Sequence, residues 1–99
     1  MTLNSLTIAE ARDRLRARDI SAAELTDACL SAIEGAGALN AFVHQTPEIA
    51  RAQAEAADAR LASGDAPAMC GIPVGIKDLF CTKGVPSQAA SRILEAFRP

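Results

Sequence analysis

Lys77 stands in the part of this chain where residue types and spacing suggest chemistry. Residues 71–78 read Gly-Ile-Pro-Val-Gly-Ile-Lys-Asp, and apolar residues alternate with others as they do along a β-strand. The apolar side chains from Ile72 to Ile76 would share one face, whereas Gly75 and Lys77 lie on the other. The glycine leaves bare backbone beside the lysine, so another group can approach closely there. The pattern therefore predicts a strand that presents a lysine.

Two interpretations of this lysine remain open from the pattern alone. A lysine acts as a base only if burial or a neighbouring positive charge lowers its pKa, which requires a packed site. An edge strand, in contrast, often presents a lysine to solvent, where its charge discourages pairing with other strands. The alternation of residue types fits both interpretations.

Two later stretches extend the pattern of residues 71–78: Cys-Thr-Lys-Gly at 81–84 and Ala-Ser-Arg-Ile-Leu-Glu-Ala-Phe-Arg-Pro at 90–99. Together the three stretches resemble the start of an enzyme of the amidase signature family. The N-terminal segments also resemble those members of the family that serve as subunits of tRNA-dependent amidotransferases. The resemblance implies an α/β fold, in which residues 1–99 supply the N-terminal helices and first strands of a single mixed-sheet α/β/α domain. We expect that domain to be incomplete in this chain.

The resemblance implies that Lys77 is the lysine of a Ser-cis-Ser-Lys triad. In the family this lysine takes a proton from a bridging serine, which in turn activates the nucleophilic serine towards an amide carbonyl. Those serines lie further along, the first in a Gly- and Ser-rich segment that this chain lacks, so we expect the chain alone to be inactive. Ser87 and Ser91 lie outside any Gly-rich turn and are not assigned as nucleophiles. Asp78 is interpreted as an acceptor for backbone amides.

By the same resemblance, the complete protein is expected to be the glutaminase subunit of a tRNA-dependent amidotransferase. Ammonia released from glutamine would pass to a partner subunit, which uses ATP and Mg²⁺ to amidate Glu-tRNA(Gln) or Asp-tRNA(Asn). A heterotrimer is implied, in which transfer RNA is contacted only through the partner and this chain holds no cofactor or metal. Two alternatives stay open: a free-standing amidase of small amides, and a truncated helical interaction segment without activity.

The composition and charge argue against several other kinds of site. The net charge is −2, and the arginines at alternate positions from 12 to 18 are interspersed with aspartates, so no basic surface for nucleic acid is predicted. The three cysteines, Cys29, Cys70 and Cys81, lack Cys-x-x-Cys spacing and suggest neither a disulfide framework nor a zinc site. His44 stands alone and is interpreted as structural or exposed. Without a signal peptide or a long apolar run, we expect a cytoplasmic protein with no membrane contact.

Capping signals predict the helices that precede the lysine. Thr-Ile-Ala-Glu at 7–10 and Ser-Ala-Ala-Glu at 21–24 are capping boxes, in which a hydroxyl and a carboxylate bond the backbone amides at a helix start. They predict a first helix over residues 8–17 and a second that ends at Gly35 or Gly37. Ile8, Ala11 and Leu15 recur at helical spacing along the first helix, and Leu25, Cys29 and Ile33 are predicted to form the buried stripe of the second.

A short strand and a third helix are predicted next. Residues 39–45 alternate like a strand, and Thr46 before Pro47 is typical of an N-cap followed by the first helical residue. The third helix is expected to run to about Ser63, with Gly64 as its stop. Its helical pattern is continued by Ile49, Ala52, Ala56, Ala59 and Leu61, and Arg51 and Glu55 are predicted to be i,i+4 partners on an exposed face. After a turn at Gly84, a short helix is predicted over residues 89–97.

Overall fold

The computed structural model describes residues 3–39, 41–42, 44–77, 80–85 and 97–98. The chain divides into two compact units, one of Met1–Ala41 and Pro47–Pro73, the other of Phe42–Thr46 and Val74–Pro99. All the regular elements of the described part lie in the first unit, and they are helical. In chain order they are a 3-10 helix at Leu3–Ser5, α1 at Ile8–Arg16, α2 at Ala22–Gly35, a 3-10 helix at Gly37–Leu39 and α3 at Pro47–Ser63.

Both predicted capping boxes are confirmed. At the start of α1 the Glu10 amide donates to Thr7 Oγ1 at 3.1 Å, and the Thr7 amide donates to Glu10 Oε1 at 3.0 Å. The bond from the Thr7 backbone, followed by that with its side chain, lowers the pKa of Glu10. At the start of α2 the Glu24 amide donates to Ser21 Oγ at 3.0 Å, and the Ser21 amide returns a bond to Glu24 Oε1 at 3.2 Å. Local hydrogen bonding alone thus sets where two helices begin.

The end of α1 is closed by a left-handed residue that is not glycine. Arg18 has a φ of 60°, and its amide donates to the Leu15 carbonyl at 3.1 Å. The next amide, of Asp19, donates to the Arg14 carbonyl at 2.9 Å, which completes a Schellman motif. The Arg14 Nε also bonds the Asp19 carboxylate at 3.0 Å across the same turn. This exposed ion pair helps the chain to turn where a β-carbon disfavours the conformation.

The core of the first unit is small and rich in alanine. Its buried residues are Ala11, Leu15, Ile20, Ala22, Leu25 and Ala54, with Leu3, Leu6, Cys29, Ala57, Leu61 and Ile72 packed around them. Of the three apolar residues at helical spacing in α1, Ala11 and Leu15 are buried, whereas Ile8 is 58% exposed. Ile8 is the first residue of the helix and precedes the buried positions Ala11 and Leu15.

Among the apolar residues that continue the helical pattern of α3, Leu61 alone belongs to its buried face. Ala54 is the buried residue, with Ala57 and Leu61 at its border, whereas Ile49 is 44% exposed. The inner face therefore follows the spacing 54, 57 and 61, and α3 begins and ends as predicted, at Pro47 and Ser63 with Gly64 at a φ of 81°. Alanines occupy every side of this helix, so the spacing of apolar residues could not select a face.

Arg51 on α3 pairs with a different residue from the one predicted. Its Nε lies 3.1 Å from the Asp27 carboxylate of α2, so the exposed ion pair joins two helices instead of linking Arg51 to Glu55 within one. Helices α2 and α3 are packed against each other, and this brings Asp27 within reach. An i,i+4 partner offers only a few tenths of a kcal/mol, so a neighbouring helix easily changes such a pairing.

The expected strands are not found among the described residues, which corrects the α/β prediction for this part of the domain. Leu39 closes a 3-10 turn, its amide donating to the Ala36 carbonyl at 3.0 Å, and residues 41–42 and 44–46 belong to no element. Residues 72–77 likewise form no hydrogen-bonded element. Alternation only decides which side chains share a face, whereas a strand exists through the ladder of a neighbouring strand. The helix predicted over 89–97 falls almost entirely outside the described residues.

None of the helices described is both long and apolar enough to cross a bilayer.

Candidate functional site

The lysine motif begins with two residues that are seated on the helical core. Gly71 has a φ of 87°, and a β-carbon built on it would lie 3.2 Å from both Ala22 Cβ and Leu15 Cδ1. Ile72 is half-buried against the same core, and its amide donates to the Met69 carbonyl at 3.1 Å. We refer to Gly71 and Ile72 as the root of the motif. Both the backbone conformation and the available space require glycine at its first position.

Lys77 lies in the second unit, in a stretch without regular structure, and is exposed. The two preceding apolar side chains, Val74 and Ile76, are each 62% exposed. Within the described part of the chain every ion pair uses an arginine, and no hydrogen bond to the Lys77 ammonium is present. Here the lysine is therefore not in the packed surroundings that base catalysis requires. A covering surface with a hydroxyl group would have to complete such a site.

The backbone around Lys77 is open, as the sequence predicts. A β-carbon built on Gly75 would meet, among the described residues, only Phe42 Cε1 at 4.0 Å, an ordinary contact distance. The Lys77 carbonyl accepts a hydrogen bond from the Phe80 amide at 3.1 Å. Asp78, Ser87 and Ser91 lie outside the described residues.

The predicted turn at Gly84 is confirmed. The Val85 amide donates to the Thr82 carbonyl at 3.0 Å, and Gly84, the third of the four turn residues, has a φ of 78°. A glycine fits this position because positive φ costs it little. The Gly84 carbonyl also accepts a bond from Arg98 Nη1 at 3.4 Å. Cys-Thr-Lys-Gly at 81–84 thus acts as a turn and brings no charged partner to Lys77.

Sequence reasoning missed Asp58, which bonds the start of another helix. The Ala22 amide donates to Asp58 Oδ1 at 2.6 Å, and the Ala23 amide donates to Asp58 Oδ2 at 3.2 Å. The carboxylate of α3 thereby satisfies two of the amides that a helix start leaves without partners. One signal was available. Aspartate has a low helix propensity, so an aspartate in the middle of a helix is a candidate for a side-chain hydrogen bond to the backbone.

The cysteines and the histidine form no reactive or metal-binding cluster in the described part of the chain. Cys29 is half-buried, and burial raises the pKa of its thiol. The Cys70 thiol donates to the Ala57 carbonyl at 3.7 Å, Cys81 is exposed, and all three are free. Among the residues that the structure describes, no three His, Cys, Asp or Glu side chains are grouped as a metal site. His44 is exposed. Lys77, the one catalytic residue predicted from the sequence, is among the residues that the structure describes.

Comparisons with known proteins agree on one family. The family model described as Amidase matches residues 24–99. Relatives named as the A subunit of glutamyl-tRNA(Gln) amidotransferase are 79% identical in Dinoroseobacter shibae and 68% identical in Ruegeria pomeroyi, each over 98% of this chain. A relative of the same name in Cereibacter sphaeroides is 64% identical over the whole chain. The chain spans only 20% of the length of each of these relatives.

No solved structure matches this chain significantly. The family match begins at Glu24, in the first turn of α2, and covers Asp58, the root and Lys77. It extends over more than three quarters of the sequence, and the motif of residues 71–78 lies wholly within it. The chain belongs to the amidase family.

Proposed function

We propose that this chain is the N-terminal part of the amide-hydrolysing subunit of a tRNA-dependent amidotransferase. The supporting observation is its 79% identity, over 98% of its length, to a relative named as the A subunit of glutamyl-tRNA(Gln) amidotransferase. In this function the protein hydrolyses glutamine and supplies ammonia to a partner subunit. The partner uses ATP to amidate Glu-tRNA(Gln), and by extension Asp-tRNA(Asn).

Lys77 is proposed as the general base of a Ser-cis-Ser-Lys triad. Its amine takes the proton of the bridging serine, and that serine takes the proton of the nucleophilic serine as the latter attacks the amide carbonyl. The tetrahedral oxyanion is stabilised by backbone amides, and the relay gives its proton to the leaving nitrogen so that ammonia departs and an acyl-enzyme remains. Water then attacks the acyl-enzyme, which releases the acid and restores the serine. Both serines belong to parts of the enzyme not represented in residues 1–99. The neutral amine is favoured only when Lys77 is covered, so the exposed lysine described here is proposed to become active on burial.

The charge distribution supports a division of labour between subunits. With a net charge of −2 and with Arg12, Arg14 and Arg51 paired to aspartates, the described residues suggest no basic patch for transfer RNA. Nucleotide and tRNA binding are therefore proposed for partner subunits, in a cytoplasmic heterotrimer. No cofactor is proposed for this chain.

The test is a lysine substitution in a complete enzyme. Residues 1–99 replace the matching segment of the Dinoroseobacter shibae relative, and the chimera is assembled with the other subunits of that enzyme. Lys77→Arg keeps the positive charge but cannot act as a base, because guanidinium does not deprotonate at working pH. Lys83→Arg is the matched control, since Lys83 is the only other lysine and is also exposed.

We expect Lys77→Arg to lower glutamine hydrolysis at least ~100-fold, the scale of a lost acid–base catalyst. Amidation of tRNA with added ammonium should continue, because only the ammonia source is removed. Lys83→Arg should retain both activities. Full glutamine-dependent activity in Lys77→Arg would show that the lysine is an ordinary surface residue. Hydrolysis of small amides without any tRNA amidation by the chimera would favour the free-standing amidase.

A further inference from the structure

The chain that follows α3 returns onto the helices of the first unit as a strap, by which we mean residues 64–72. Near the start of the strap, Arg60 Nε of α3 donates to the Asp65 carbonyl at 3.1 Å. Near its end, the Cys70 thiol donates to the Ala57 carbonyl of α3 at 3.7 Å. Both connections join a side chain to a backbone carbonyl, which is a weaker attachment than a ladder of backbone hydrogen bonds.

The backbone of the strap bonds over short range. The Cys70 amide donates to the Pro67 carbonyl at 3.0 Å, and the Ile72 amide donates to the Met69 carbonyl at 3.1 Å, so both bonds close turns within the strap. Segments that are held in this way open locally at a lower free energy than the helices beside them. The position of the strap therefore depends on the surface against which it packs.

That surface is the start of α2. A β-carbon built on Gly71 would lie 3.2 Å from Ala22 Cβ and 3.2 Å from Leu15 Cδ1, and 3.5 Å from Leu61 Cδ1. Ala22 is the first residue of α2 and is fully buried. Because the contact is this close, a displacement of the start of α2 removes the surface on which the strap lies.

Asp58 of α3 holds the start of α2 in place. Its carboxylate accepts hydrogen bonds from the Ala22 and Ala23 amides at 2.6 and 3.2 Å. The capping box bonds the other two amides of this helix start, those of Ser21 and Glu24. The local box therefore specifies that α2 begins here, whereas Asp58 specifies where on α3 that beginning lies.

We propose that Asp58 is the latch of a local opening in the first unit. While its carboxylate bonds the start of α2, the strap is seated and the Cys70 thiol is partly covered. When that contact is released, the start of α2 moves off α3, the strap loses its seat and the thiol becomes accessible. This device lies within the first unit and does not depend on the proposed function.

The experiment measures the opening at both ends of the connection in the 99-residue chain. Hydrogen exchange, followed by NMR, reports the amides of Ala22, Ala23 and Ile72. Alkylation by iodoacetamide, followed by mass spectrometry, reports the rate at which each cysteine reacts, with the exposed Cys81 as the internal reference. Far-UV circular dichroism reports whether the helices are retained.

Two aspartates on these helices give a matched pair of variants. Asp58→Asn keeps the shape of the side chain but replaces one acceptor oxygen by an NH₂ group, which cannot accept from a backbone N–H. Asp27→Asn weakens the other polar contact between α2 and α3, the exposed ion pair with Arg51, and leaves the start of α2 untouched.

We expect Asp58→Asn to speed exchange of the Ala22 and Ala23 amides about 10- to 100-fold, the equivalent of a lost hydrogen bond to a charged group. Alkylation of Cys70 should become about 10-fold faster, because the strap is released with the helix start. The rate at Cys81 and the helical signal should not change. Asp27→Asn should leave every one of these rates at the parent value.

The parent chain decides the question if Asp58→Asn fails to fold. Exchange at increasing urea gives the free energy of the opening that exposes each amide. The latch predicts one shared value for Ala22, Ala23 and Ile72, lower than the value for Ala54, which is buried in the middle of α3. Different values for Ala22 and Ile72, or a shared value equal to that of Ala54, would overturn the inference.

The variants can overturn it in two further ways. Faster exchange at Ala22 in Asp58→Asn, with the alkylation rate of Cys70 unchanged, would show that α2 frays while the strap stays seated. An equal rise of Cys70 alkylation in Asp27→Asn would show that any weakening between α2 and α3 releases the strap, and Asp58 would then have no special part in it.

Discussion

The helical unit and the stretch around Lys77 contain similar aliphatic side chains but bury them very differently. Leu15 and Leu25 are 1% and 3% exposed, whereas Val74 and Ile76 are each 62% exposed. A helix satisfies its backbone groups internally, so it only needs one face covered. An extended segment depends on other segments for both its hydrogen bonds and its burial. The helical part of this chain therefore buries its aliphatic side chains within the chain, whereas the extended part leaves them exposed.

The largest test of this difference compares one core leucine with one exposed valine. Leu15→Ala should lower the free energy of unfolding of the helical unit by about 2–5 kcal/mol, because it leaves a cavity in a small core. Val74→Ala should change it by less than about 0.5 kcal/mol, because that side chain contributes little buried surface. Urea unfolding of the 99-residue chain, followed by far-UV circular dichroism, measures both. Equal losses would mean that Val74 is packed in solution.

Two glycines provide a second test of the same contrast. Gly71→Ala should destabilise the helical unit by about 1–3 kcal/mol, because its φ of 87° disfavours a β-carbon and its neighbours stand at 3.2 Å. Gly75→Ala should be neutral or stabilising by up to about 1 kcal/mol, because its nearest described neighbour is 4.0 Å from the new carbon. The measurement is again urea unfolding. A tolerated Gly71→Ala would contradict the close seating of the root.

A smaller effect is expected where the helical unit departs from helix-ending rules. Arg18→Gly should stabilise the unit by about 0.5–1 kcal/mol, since glycine adopts the φ of 60° without the cost of a β-carbon but loses more entropy on folding. Arg16→Gly is the contrasting variant, because that residue lies inside α1 and glycine there should destabilise by about 1 kcal/mol. Thermal unfolding measures the change in stability of each variant. A loss of stability in Arg18→Gly would contradict the backbone strain inferred at Arg18.

The smallest effect concerns the pH dependence of the first capping box. The pKa of Glu10 is lowered below its ordinary value in the folded chain, chiefly by the Thr7 backbone. Its contribution to stability is therefore present above the unfolded pKa and is lost as the pH falls through the folded pKa. The difference in stability between the parent chain and Glu10→Gln should accordingly shrink as the pH is lowered through this range. A difference independent of pH would indicate that the ionised carboxylate is not what caps α1.

Local sequence was enough to set where the helices begin and end. Thr7 and Ser21 cap the starts of α1 and α2 through hydrogen bonds within a few residues. Pro47 begins α3 and Gly64 follows its end, because their backbone preferences suit those positions. The motif around Lys77 also indicated the amidase family, which the family match bears out. The assignment of Lys77 as the catalytic base stays a prediction, because its proton-accepting role depends on surfaces that these residues do not include.

The faces and partners that these elements use were fixed by tertiary packing alone. The inner face of α3 runs through Ala54, a choice that alanines on every side of the helix had left open. Arg51 pairs with Asp27 because α2 packs against α3. Asp58 bonds amides that lie 36 and 35 residues away, a distance along the chain over which no local pattern carries information. Alternation along residues 72–77 likewise could not supply a strand, because the energy of a strand comes from a hydrogen-bonded neighbour and not from its own sequence.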